Sequence, residues 1–245
     1  MFGAVFAEYL PWPLHLVYLV SLGLLLPALA GALLVRETVS AREPFALRLQ
    51  RLRVPPARAT FGLASLLAVC AWMAASFFGA LGLVMAMRLF GVENRLLASI
   101  VVFCFLGSSA AAQMGLRGLP IRRSAVLGAT VMPAGFALIV TGLLTESFAF
   151  FVAGALVGGV GQALSYLAGQ SMVELIAPVE SRGEVFSTYL IAVYFGGGLT
   201  AIALGVAARQ IGLEPAAIGY AATLCALTLA TGTIAARFRL PTRAS

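Results

Sequence analysis

Lysine and aspartate are absent from this 245-residue chain: all sixteen basic residues are arginine and all nine acids are glutamate. Charged residues are only 10% of the sequence, hydrophobic ones 61%, at a mean hydropathy of +1.01. An ordinary soluble domain runs at roughly 45–50% apolar and about 25% charged residues. The polar complement here is too small to cover a soluble globule, and the apolar excess equally excludes a disordered chain or a disulfide scaffold. The three cysteines (Cys70, Cys104 and Cys225) are widely spaced inside apolar runs and read as small buried hydrophobes. The one histidine, His15, cannot supply an H-E-x-x-H or multi-histidine metal site. G-x-S-x-G and P-loop motifs are missing. Without lysine there is no retinal Schiff base, and without aspartate the usual magnesium-binding carboxylate motifs of phosphotransfer are gone. No enzyme activity, cofactor or metal is therefore expected.

What the chain does have is long apolar runs. A helix crossing the hydrocarbon needs about 20 mostly apolar residues. Seven stretches meet that need, at roughly 14–35, 60–87, 96–116, 124–144, 148–173, 185–208 and 215–236. None alternates as a barrel strand would. The expected fold class is all-α, a polytopic membrane helix bundle of seven transmembrane helices. Residues 1–13 lack the basic n-region of a signal peptide. The domain reading is an extracytoplasmic N-terminus and first helix over 1–40, a basic linker over 41–59, a six-helix bundle over 60–236 and a tail over 237–245.

Arginine sets the expected orientation. Thirteen of the sixteen fall in the loop after span one (Arg36 included), the loop between spans three and four, the loop before span six and the tail; only Arg88, Arg95 and Arg209 fall on the other side. The positive-inside rule places the thirteen in the cytoplasm, with the N-terminus outside and the C-terminus inside. The net charge of +7 is thus a topology signal, and no nucleic-acid partner is expected. The expected partner is the lipid bilayer. In the linker, Phe45, Leu49 and Leu52 lie at helical spacing beside Arg48 and Arg51; a basic stretch on the lipid face and a topology-fixing linker both fit.

Boundary residues agree with the spans. Asn94, with Glu93 beside it, can cap span three. Ser181 to Glu184 has capping-box spacing before span six. Thr145 to Ser147 can begin span five, and Pro215 suits the first turn of span seven. Small residues recur at helical spacing: Gly128, Gly135 and Gly142 in span four, Gly154 and Gly158 in span five, and the triplet Gly196–Gly198 in span six. Close backbone contact of this kind holds helices together in lipid. The triplet and Pro133 also offer places to bend.

The best polar stripe is in span five, where Gln162, Tyr166, Gln170 and Glu174 recur every fourth residue. Such a face should look into the protein or a watery cavity, because unpaired polar groups in lipid are costly. Span three adds Ser108, Ser109 and Gln113; span six adds Ser187, Tyr189 and Tyr194; span two adds Ser65, Trp72 and Ser76. Two readings stand side by side: a cavity lined by amides, hydroxyls and rings for an organic solute, or interhelical hydrogen bonding. The substrate-path candidates are Gln113, Gln162, Tyr166, Gln170 and Tyr194.

At these residues the chain resembles the second half of a major facilitator superfamily transporter. Span one, ending Val35-Arg36-Glu37-Thr38-Val39, looks like the sixth helix running into a central cytoplasmic loop, and spans two to seven look like helices seven to twelve. Gly115-Leu-Arg117-Gly118-Leu-Pro120-Ile-Arg122-Arg123 sits where the family repeats a Gly- and Arg-rich cytoplasmic loop, here without its acidic residue. The motif residues are Gly115, Arg117, Arg122 and Arg123. The stretch Ala177 to Glu184 resembles the junction between the tenth and eleventh helices. The resemblance implies two three-helix inverted repeats preceded by one extra helix. It also implies transport of a small organic solute by alternating access, with the N-terminal half missing or supplied separately. The composition suggests a bacterial inner (plasma) membrane. A non-transporting scaffold or inactive remnant, and less readily an intramembrane enzyme, are the alternatives.

Overall fold

The computed structural model describes residues 12–34 and 52–238. Among them are seven long helices and no strand: α1 (Pro13–Leu34), α2 (Arg58–Leu89), α3 (Arg95–Leu116), α4 (Ile121–Leu144), α5 (Phe148–Ile176), α6 (Arg182–Ile211) and α7 (Leu213–Arg237). They follow the apolar runs to within a few residues. Six of them, α2 to α7, are long and apolar enough to cross a membrane, with mean hydropathy between 1.5 and 2.0. These six apolar helices mark an integral membrane protein. The 22 residues of α1 are also apolar. They stand apart from the bundle, exposing Tyr18, Leu22, Leu25, Leu29 and Leu33. Residues 41–51, with Phe45, Arg48, Leu49 and Arg51, lie outside the described residues, as does most of the 237–245 tail.

The helix ends have local causes. Asn94 caps α3: its Oδ1 accepts from the backbone N–H groups of Leu96 at 2.9 Å and Leu97 at 3.1 Å. Gly212 joins α6 to α7 at φ +96°, a backbone that side-chain-bearing residues resist, and Pro215 occupies the first turn of α7. The capping box expected at Ser181 is not formed. The Ser181 hydroxyl is buried without a partner, and Glu184 instead faces Arg53 at 3.7 Å. Arg53 also donates its backbone N–H to Thr188 Oγ1 at 2.8 Å, so the end of the linker is docked on α6. Neither Pro133 nor the glycine triplet interrupts its helix. Within α2 the ladder changes to a π-helical turn at Phe78–Gly82.

The bundle is built around α5, which packs against α2, α3, α4 and α6. Over half of its most apolar window, 56%, is buried, against 17% for α6 at the periphery. The closest pair is α4 with α5, and glycine is the reason. A Cβ on Gly135 would overlap the backbone of Gly158, and one on Gly154 would sit 2.7 Å from the Gly135 carbonyl oxygen. Gly128, Gly142 and Gly161 likewise face backbone atoms of the partner helix. The seven-residue glycine spacing thus serves static packing. In α6, Gly197 lets Trp72 of α2 approach, while Gly198 faces open space.

Two apolar cores fill the bundle. One surrounds the π-turn, where Phe78 stacks on Phe105 at 4.3 Å and Phe77 meets Phe136 edge-on at 5.3 Å. The other gathers Leu67 and Ala68 of α2, Ala168 and Met172 of α5, and Val185 and Tyr189 of α6. It lies toward the end of the bundle that carries Arg58, Arg182 and Arg237.

Candidate functional site

The α5 row does not keep to one environment. Steps of four residues advance about 40° around a helix with 3.6 residues per turn, so the row spirals outward as it descends. Gln162 is 8% exposed, Tyr166 and Gln170 are half-buried, and Glu174 is exposed.

At the inner end, Ser109 of α3 donates through Oγ to Gln162 Oε1 at 2.5 Å, and Gln113 Nε2 donates to Ser109 Oγ at 3.1 Å. This chain of three side chains ties α3 to α5 and uses polar capacity that a solute would otherwise take. Midway, Tyr166 lies near Tyr189 and Tyr194. Tyr194 sets its ring edge-on to Trp72 at 4.7 Å, yet leaves 53% of its surface exposed. Lower down, Gln170 Nε2 donates to Glu174 Oε1 at 3.3 Å. The five path candidates therefore form two groups: Gln113 with Gln162 between α3 and α5, and Tyr166, Gln170 and Tyr194 where α5 faces α6 and α2.

The Gly- and Arg-rich loop is a tight turn between α3 and α4. Gly115, Arg117, Arg122 and Arg123 are all exposed. The Arg122 guanidinium donates to the Ala236 carbonyl near the end of α7. That contact, with the docking of Arg53 on α6, brings the arginine-bearing ends of α2, α4, α6 and α7 together at one end of the bundle.

Of the other polar groups, Tyr189, Ser65 and Ser76 were marked by the sequence, while Ser124 and Ser165 emerge only from the fold. The Tyr189 side chain is 1% exposed and its hydroxyl has no partner. A hydroxyl buried in that way costs roughly 1–3 kcal/mol. It lies between α5 and α2, beside Gly169, where a Cβ would come within 3.1 Å of the hydroxyl. The Ser65 and Ser165 hydroxyls are buried and unpartnered too. Ser76 of α2 donates instead to the Gly197 carbonyl of α6 at 3.1 Å, and Ser124 of α4 to the Leu164 carbonyl of α5 at 3.0 Å.

Beyond Gln170, a cavity of about 390 Å³ opens, lined by Ile121, Ser171, Glu174, Leu175, Arg182 and Phe186. The row's spacing pointed to Glu174 alone; Ser171 and Arg182 join it only because the first turns of α4 and α6 close over the last turns of α5. No family model, curated protein or solved structure matches the chain.

Proposed function

We propose that α2 to α7 form one half of a major facilitator-like secondary transporter. It moves a small organic solute by alternating access when a second six-helix half faces it. The observation that carries this reading is the pattern of helix neighbours. Exchanging α2 with α5, α3 with α6 and α4 with α7 maps the α2–α5 and α4–α7 contacts onto themselves and the α3–α5 contact onto α6–α2, while the α6–α7 contact has no comparable counterpart between α3 and α4. Two three-helix repeats of opposite orientation would generate that exchange. The glycine-built α4–α5 contact is much closer than its counterpart between α7 and α2, and marks where the repeats have diverged.

In this reading Tyr166, Gln170 and Tyr194 line the solute path, and Gln113 and Gln162 hold its wall. The arginine-rich end faces the cytoplasm of a bacterial inner membrane, because guanidinium groups resist translocation. The bilayer, the solute and the second half are its partners.

Alternating access is tested by labelling. Cysteine placed at position 166, in a background with Cys70, Cys104 and Cys225 changed to alanine, should react with a membrane-impermeant maleimide from both sides of the membrane. Cysteine at position 78 in the aromatic core should react from neither. Protection of position 166 from both sides would overturn the transport reading.

The closed Gln113–Ser109–Gln162 chain specifically favours the other reading, a scaffold in which polar groups serve only helix association. There, Gln162→Leu would lower stability by no more than an interhelical hydrogen bond provides, about 0.6 kcal/mol on average.

A further inference from the structure

The cavity at the lower end of α5 presents two opposite charges that do not meet each other. Ser171, Glu174 and Leu175 stand on one face of the last turns of α5, at spacings of three and four. Arg182 opens α6, Phe186 follows one turn later, and Ile121 opens α4. Among the described residues Arg182 and Glu174 form no ion pair with each other, so they stand more than a salt-bridge distance apart. Glu174 accepts one hydrogen bond, from Gln170. A carboxylate has room for about four. The remaining wall is apolar: Ile121, Leu175 and Phe186, the last set edge-on to Tyr189 at 6.3 Å. One residue before Arg182, the Ser181 hydroxyl is buried with no partner.

Charge decides what such a cavity takes. A simple anion meets Arg182 but is repelled by Glu174; a simple cation meets Glu174 but is repelled by Arg182. A ligand with one group of each sign satisfies both, and Ser171 adds a neutral donor and acceptor. The volume of about 390 Å³ falls within the range of small-molecule sites, roughly 300–1,000 Å³. We propose that this cavity binds a small zwitterion, an ammonium group and an oxyanion joined by a short link, with Glu174 receiving the ammonium, Arg182 the oxyanion and Ile121, Leu175 and Phe186 an apolar substituent. Two sources carry that chemistry: a free amino-acid-like solute and a phosphatidylethanolamine headgroup. The site goes beyond the transport reading and does not depend on it, since the ligand could be carried or could simply dock.

Binding to the full chain, held in nanodiscs, tests the site independently of transport. In phosphatidylglycerol discs without aminophospholipid, free leucine should bind measurably by calorimetry. Leucinamide and 4-methylpentanoate, each lacking one charge, should bind at least about tenfold more weakly, the loss expected when one charge-assisted contact is removed. Glu174→Gln and Arg182→Gln should each weaken leucine by a similar factor; both positions are exposed, so circular dichroism should be unchanged. If leucine does not bind but phosphatidylethanolamine is retained on purification, and either substitution releases it, the site stands with a lipid headgroup as its ligand. If neither binds, or if either is indifferent to both substitutions, the proposal is overturned. A positive binding result with no labelling from both sides at position 166 would leave the site intact and remove the transport reading alone.

Discussion

At the residue scale, the side chains that fix this fold are those that answer an unpaired backbone group. Asn94 is the plainest case, since one amide oxygen takes two of the free N–H groups at the start of α3. Asn94→Ala should lower stability by about 1 kcal/mol, and Asn94→Asp should keep most of it; unfolding in mixed micelles measures both. The cap was legible from sequence because Asn immediately preceded an apolar run. The pattern at Ser181 looked equally good and failed for a reason that no local spacing carries: Glu184 is engaged by Arg53, more than a hundred positions earlier in the chain. Likewise the unpartnered hydroxyl of Tyr189 is a property of three helices meeting, and its own helix shows only another tyrosine in an apolar run.

At the element scale, helix positions were legible because lipid demands twenty or so apolar residues in succession, a signal that needs no partner to interpret. Helix faces were less so. In water an amphipathic stripe reveals which side is buried; in lipid the outer face is as apolar as the inner one, so hydropathy is nearly uniform around α5 and α6. Glycine and polar residues carried what facing information there was. Gly128, Gly135 and Gly142 marked a packing face of α4 without naming its partner, which the fold shows to be α5, and the Gln162 row marked a face that winds from core to rim. The glycine reading gives a paired test. Gly135→Ala places a methyl group against the Gly158 backbone and should cost about 1–3 kcal/mol. Gly198→Ala meets open space and should be neutral, or stabilising by up to about 1 kcal/mol through helix propensity. Equal behaviour of the two in the same unfolding assay would show that the α4–α5 contact is looser than described.

At the scale of the whole molecule, an all-helical bundle of long apolar helices was readable from composition and run length, with seven spans expected where six of the described helices are long and apolar enough to cross a membrane, while neighbour relations were not readable. No letter-level repeat relates residues 60–144 to 148–236, and which helices pack on which is set by contacts far apart in sequence. The threading, in contrast, rests on arginine alone. Alkaline phosphatase fused after Val92 should be active, and the same enzyme fused after Leu119 inactive, in a bacterial host. Equal activity at both places would show that the turn between α2 and α3 and the turn between α3 and α4 share a side of the membrane. The aromatic core around the π-turn and the apolar core around Tyr189 occupy successive levels of the bundle, so a substitution in one should leave the other's packing in place.

The seam between α4 and α5 is the closest helix contact in the bundle. Gly128, Gly135, Gly142, Gly154 and Gly161 bring the two backbones together along it, and Met132, Phe136 and Ile139 pack in between. A seam interlocked in this way resists sliding, so α4 and α5 should move as one unit in any rearrangement of the bundle.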